Sequence, residues 1–307
     1  MTGVLLSFWS LIALMGIGYA LARYGITRPG ADKALSKICF SALVPALLFN
    51  AMIQADPREV FSLVALANVL GALILAAIFV IVARAVFGMR GGEVTIGALC
   101  ASYTNAGNLG IAFLTAIVGD PSQAAPIMLF QLGFMVPVSF AILDRQSGRP
   151  GMTWKRTLLG PFTNPPVIAA IVGLVVSLTG WEVPGILSQP IDMLAGAAVP
   201  MMLLAMGVSW RGASVPPLNA ASLPLFFAIF LRCIGGPVVV YLLGLAFGLS
   251  HHGLLVATIA AAFPTANNVF VYAHRYNVGV PFARDAVLLS TVLSLGVATI
   301  IAALFHI

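Results

Sequence analysis

Apolar stretches of roughly 20 residues, the length of a bilayer-crossing helix, recur from one end of this 307-residue chain to the other. Little is left between them for a water-soluble domain. Only 8% of the residues are charged and 61% are hydrophobic, whereas an ordinary soluble domain has roughly a quarter of its residues charged. The solvent for such a chain is a lipid bilayer. The stretch from Val4 to Ala22 has no basic segment before it and no small-residue cleavage site after it, so it reads as the first span and not as a signal peptide.

Charged and Pro/Gly-rich breaks divide the chain into ten predicted spans, near 4–22, 34–54, 60–87, 93–118, 122–143, 163–180, 190–210, 220–249, 253–274 and 283–305. The net charge of +6 implies no nucleic-acid partner, because the basic residues sit in short loops, where they set orientation. Arg23, Arg28, Lys33 and Lys37 follow span 1; Arg84 and Arg90 follow span 3; Arg145, Arg149, Lys155 and Arg156 follow span 5. Arg211 follows span 7, Arg275 and Arg284 follow span 9, and Arg58 alone lies on the other side. Loops after odd-numbered spans are therefore predicted to be cytoplasmic, with both termini outside.

Chemistry of the usual catalytic kinds has no support in the residues. Cys39, Cys100 and Cys233 each lie in an apolar segment without ligand spacing and read as packing residues. The His251-His252 pair has no carboxylate or cysteine beside it at ligand spacing. There is no Gly-rich phosphate loop, and no nucleophile accompanied by a matching His and carboxylate. The expectation is a protein that is not an enzyme, with no catalytic residue, no metal and no cofactor.

A shift of 160 residues aligns FGMRGGEVTIGALCASYTNAGNLGI, from Phe87, on FGLSHHGLLVATIAAAFPTANNVFV, from Phe247, without gaps. Phe87-Gly88 falls on Phe247-Gly248, Ala106 on Ala266 and Asn108 on Asn268. SALVPALLFNAM has a looser counterpart in AGAAVPMMLLAMG, with Pro45 on Pro200. Five spans per half is an odd number, so the halves must insert in opposite directions, as in secondary transporters built from inverted repeats. The predicted fold is an all-α membrane protein of ten transmembrane helices in two inverted five-helix repeats.

Spans 4 and 9 are both interrupted near their middles, by Tyr103-Thr104-Asn105-Ala106-Gly107-Asn108-Leu109-Gly110 and by Phe263-Pro264-Thr265-Ala266-Asn267-Asn268. Pro264 removes a backbone donor, and Gly107 and Gly110 lower the cost of unwinding. Each span is expected to be two half-helices that cross the other pair near the midplane. The N-termini of the second half-helices then favour an anion, and Asn105, Asn108, Asn267 and Asn268 supply hydrogen bonds without a buried charge. The competing reading is that Gly and Pro are common in membrane helices and Asn merely bonds a neighbour; matched breaks in both halves favour the transporter site. Asn50 in span 2 and Gln131 in span 5 could reach the same cavity or act as interhelical glue. Arg232, about mid-depth in span 8, is either a substrate counter-ion or gate, or a donor to carbonyls exposed at the Gly235-Gly236-Pro237 kink.

SALVPALLFN, NAGNLGIAF and PTANNVFVYA, in their order and spacing, resemble the auxin efflux carrier family over essentially the whole chain, in particular bacterial malonate- or malate-transporter-like members. The resemblance implies an inner-membrane carrier of small organic anions, frequently a homodimer, working by elevator-type alternating access. It implies scaffold helices in 1–57 and 162–212, transport-unit helices in 58–146 and 213–307, and a short cytoplasmic loop at 147–161. By matching position it carries the family's crossover site onto Asn105, Asn108, Pro264 and Asn268, its scaffold contact onto Asn50, and a polar position onto Gln131. The candidate substrate site is thus Asn50, Asn105, Gly107, Asn108, Gln131, Pro264, Thr265, Asn267 and Asn268, with Arg232 as candidate counter-ion or gate. Plant members carry a long cytoplasmic loop after span 5, and this chain has only about Asp144 to Pro161, so control through that loop is not implied and auxin itself is in question. Partners implied are the anion, the bilayer and a coupling ion. The alternatives are a sodium- or proton-coupled symporter or antiporter of similar architecture, or a membrane ligand sensor that does not transport.

Overall fold

The computed structural model of the chain describes residues 2–54, 62–106, 110, 114, 118, 124–146, 165–211, 216–217 and 219–305. These residues are helical throughout, apart from connecting turns and one isolated bridge between extended segments. The helices are α1 (Thr2–Arg23), α2 (Ala31–Ile53), α3 (Leu63–Ala85), α4 (Gly92–Ser102) and α5 (Pro126–Gln146). They continue with α6 (Pro165–Thr179), α7 (Gly185–Val208), α8 (Ala220–Ala246), α9 (His251–Ala261), α10 (Asn267–Tyr276) and α11 (Val280–Leu304). Each predicted span overlaps one of these helices, and span 9 overlaps two. Six of them, α2, α3, α5, α7, α8 and α11, are long and apolar enough to cross a membrane, and Ile12–Arg23, Ile168–Thr179 and His251–Ala261 are shorter apolar helices.

Three of the long helices contain a widened π-turn, at Cys39–Leu43, Gln131–Met135 and Leu231–Gly235. Each ends two residues before a proline: Pro45, Pro137 and Pro237. Proline has no N–H, and its ring crowds the carbonyl four residues back. The residue just before each proline donates instead to the carbonyl five back: Val44 to Cys39, Val136 to Gln131 and Gly236 to Leu231. The extra residue turns one part of the helix by ~100° against the other. Two of these turns carry Gln131 and Arg232, and π-turns of this kind are frequent at functional sites.

The two repeat-matched segments begin with the same local geometry. Gly88 (φ 64°) and Gly248 (φ 68°), just past the ends of α3 and α8, both take the left-handed conformation that favours glycine. The helices that follow, α4 and α9, have no solvent-facing stripe: Val94–Ser102 and Leu254–Ala261 are buried all round, as helices at the centre of a bundle are.

The helices fall into two packed groups. In one, α1 lies on α7, and α2 lies on α6 and α7; in the other, α3 packs on α4, α8 and α9, and α11 packs on α8, α9 and α10, while α10 also packs on α2 and α7 and joins the two. At their contact, Arg275 at the end of α10 sits 5.3 Å over the Phe40 ring of α2, and His274 Nε2 is 3.4 Å from Asp32. The α1–α7 contact depends on glycine: a Cβ on Gly18 would strike the Leu204 backbone, and one on Gly207 the backbone of Met15. Helix association in lipid relies on such close approach, because burial from water does not drive it. Gly207→Val is expected to force the two helices apart and cost about 1–3 kcal/mol, read as a lower melting temperature of the detergent-solubilised protein; an unchanged melting curve would refute the close contact.

Candidate functional site

The site is built where two helices stop. At the end of α4, Tyr103 turns to extended backbone (φ −86°, ψ 111°), and Ala266, just before α10, is extended too (φ −70°, ψ 141°). Pro264 excludes helix at Phe263 and supplies no donor. The two extended segments cross antiparallel with Thr104 facing Thr265. The Asn105 N–H donates to the Pro264 carbonyl at 2.8 Å, and the Ala266 N–H to the Tyr103 carbonyl at 3.1 Å. Each break thereby satisfies backbone groups of the other, the condition for irregular chain inside a membrane.

Side chains from three neighbouring helices complete the crossing. With its amide nitrogen donating to the Thr104 carbonyl (3.0 Å), Gln131 in the α5 π-turn accepts through its oxygen from the Thr104 N–H (2.9 Å) and hydroxyl (2.5 Å). Thr265 donates its N–H to Ser290 Oγ of α11 (3.1 Å) and its hydroxyl to the Cys100 carbonyl of α4 (2.7 Å). In the α8 π-turn, Arg232 donates through Nη1 to the Ser102 carbonyl (3.0 Å) and through Nη2 to the Ala261 carbonyl. Those carbonyls belong to the last residues of α4 and α9. Arg232 is 2% exposed, and no carboxylate among the described residues pairs with it.

The predicted site residues divide accordingly. Asn105, Pro264, Thr265, Asn267 and Gln131 meet at the crossing; Asn105, Thr265, Asn267 and Gln131 are buried, and Asn268, next on α10, is half-buried. Asn105 Nδ2 and Asn267 Nδ2 are buried without a hydrogen-bond partner among the described residues. Asn50 stands in the other group of helices, where its Nδ2 donates to Asp192 Oδ1 of α7 at 2.7 Å. Gly107 and Asn108 lie outside the described residues.

The sequence reading passed over three contributors. Thr104 and Ser290 were hidden because hydroxyl residues are common in membrane helices. Asn68 of α3, whose Nδ2 reaches the Ala257 carbonyl of α9 at 3.3 Å, carried the same signal as Asn50, an amide in an apolar run. Behind the crossing, Asn68, Thr104, Gln131 and Arg232 line a cavity of about 10 Å³, room for about one water.

Comparison with known proteins identifies the family. The sequence profile of the family described as "Membrane transport protein" matches residues 4–150 and 149–302. The chain belongs to that family. Among relatives, it is 28% identical over 311 residues to a Rhizobium meliloti (strain 1021) protein named "Putative malonate transporter", covering 97% of this chain and 93% of the relative. It is 24% identical over 283 residues to the "Uncharacterized transporter YfdV" of Escherichia coli (strain K12), covering 87% of each. Auxin efflux carrier component 4 of Arabidopsis thaliana is 32% identical over 132 residues, 41% of this chain and 20% of that one. The resemblance carried by the crossover motifs is therefore correct at the level of the family: the chain is a membrane transporter of the auxin efflux carrier kind.

Proposed function

We propose that the protein carries a small organic anion, a mono- or dicarboxylate of the malonate or malate class, across a bacterial inner membrane by alternating access, with both termini outside. The observation that carries this reading is the pair of buried amide donors, Asn105 and Asn267, without a partner among the described residues, at a crossing of two interrupted helices. Asn267 is the first residue of α10, so the positive end of that helix and its free N–H groups lie beside the amide. A carboxylate is held there by donors alone, without a buried cation to desolvate. Asn108 and Gly107 join the site by their match to the second repeat. The ten spans then form two inverted five-span repeats, a reading supported by the matched left-handed glycines and the antiparallel crossing.

Movement is assigned to α3–α5 and α8–α11, sliding as an elevator against a scaffold of α1, α2, α6 and α7 that also pairs two copies of the chain. The contact pattern supports this partition. Purified protein in liposomes is expected to accumulate radiolabelled malonate or a related carboxylate under an imposed sodium or proton gradient. Uniport shows as flux without either gradient. Binding with no flux under any gradient would replace the carrier with a sensor, and flux of sodium or protons without an anion would replace it with a cation antiporter.

A further inference from the structure

We propose that Arg232 is a positioning residue that ties both half-helices into one rigid crossover and does not touch the transported anion. The inference rests on the crossover being the transport site, but its geometry stands independently. The guanidinium donates to the last residue of α4 and the last residue of α9, segments separated by 130 and 29 residues from Arg232 itself. An α-helix carries roughly half a negative charge at its C-terminus. Two such ends facing one guanidinium come to about one unit, so the buried cation is balanced without a carboxylate. The cavity that Arg232 lines among the described residues, about 10 Å³, has room for about one water.

Gly236 is part of the same device. A Cβ there would lie 2.6 Å from Arg232 Nη2 and 2.8 Å from the Ala261 carbonyl oxygen, closer than any packed carbon tolerates, so only glycine lets the guanidinium reach α9. The π-turn before Pro237 carries Arg232, and Gly236 closes it by donating to the Leu231 carbonyl. The bonds lie at the C-terminal ends of α4 and α9, leaving the N-terminal end of α10 for the anion. Arg232 thus neutralises the negative helix ends and leaves the positive one for the substrate.

Hydrogen–deuterium exchange on the purified protein tests this directly, paired with liposome uptake. In Arg232→Gln, peptides containing Thr104-Asn105 and Thr265-Ala266 are expected to exchange at least tenfold faster, with α1 and α7 unchanged, and the maximal uptake rate to fall at least tenfold. Arg232→Lys restores part of both and leaves the preference between mono- and dicarboxylates as in the wild type. Gly236→Ala reproduces the Gln variant although the guanidinium remains. If Arg232→Gln does not fold, the Lys and Gly236→Ala variants carry the same comparison. Unchanged crossover exchange with a raised KM would overturn the proposal in favour of a substrate counter-ion, and faster exchange over the whole chain would overturn it in favour of general fold stability. If the wild type transports no anion, the exchange data still decide the clamp, and only the transport reading fails.

Discussion

Asn105→Ala and Asn267→Ala are each expected to lower carboxylate uptake by about 10- to 100-fold while leaving the melting temperature of the purified protein close to that of the wild type. The two halves of this expectation have one cause. In the described structure the Nδ2 groups of both residues are buried and unpartnered, and such an orphan donor costs about 1–3 kcal/mol. Removing it takes no amide-nitrogen bond from the network among the described residues and offsets the packing lost with the side chain. A charge-assisted bond to a carboxylate, by contrast, contributes about 1.5–3 kcal/mol, and each 1.4 kcal/mol is tenfold in affinity. Uptake at low substrate concentration and a thermal melt, measured on the same preparations, check both parts. Full uptake by both variants would remove the amides from the site; loss of uptake with a collapsed melting temperature would make them structural.

Gln131→Leu is expected to do the opposite to stability. The Gln131 amide accepts from the buried Thr104 N–H and hydroxyl and donates to the Thr104 carbonyl. Leucine fills a similar volume but leaves that N–H with no acceptor among the described residues, a cost of about 1–3 kcal/mol. The Thr104 carbonyl suffers less, because it also accepts from the Ala106 N–H at 2.9 Å. The melting temperature should fall, and uptake with it, because the crossing loses the contact that fixes one strand. Gln131→Glu keeps an acceptor for the N–H and should be the milder of the two. Equal stability of Gln131→Leu and wild type would show that the grip on Thr104 contributes nothing.

These contrasting expectations separate two kinds of amide that look alike in an apolar span. Asn50, Asn68, Asn105, Gln131 and Asn267 all stand in hydrophobic runs, and in the sequence only the matched breaks around Asn105 and Asn267 set those two apart. In the folded chain, Asn50 bonds a carboxylate on α7, Asn68 bonds a carbonyl on α9 and Gln131 bonds the Thr104 backbone. Only Asn105 and Asn267 in this set hold an amide nitrogen unused among the described residues. The charged residue shows the same divergence. Its depth in span 8 was readable from the sequence, and both a counter-ion and a carbonyl-bonding role were compatible with it; the carbonyls it meets are those of α4 and α9.

The properties that depend on neighbours along the chain were legible in the sequence itself. Ten apolar runs, two interruptions 160 residues apart and the breaks at Pro264 and at Tyr103–Asn105 all follow from hydropathy and backbone chemistry within a few residues. The prolines at 45, 137 and 237 are equally visible, but the π-turns before them are not, because Pro190 and Pro200 stand in α7 without one. Which groups meet across the crossing was decided only by tertiary structure. Thr104 finds Thr265, Thr265 finds Ser290 and Arg232 finds Ser102 and Ala261 because helices far apart in sequence are packed side by side. In a membrane the backbone polar groups freed at a helix break must find partners inside the protein, and when most helices are uniformly apolar, composition says that partners are needed without saying which.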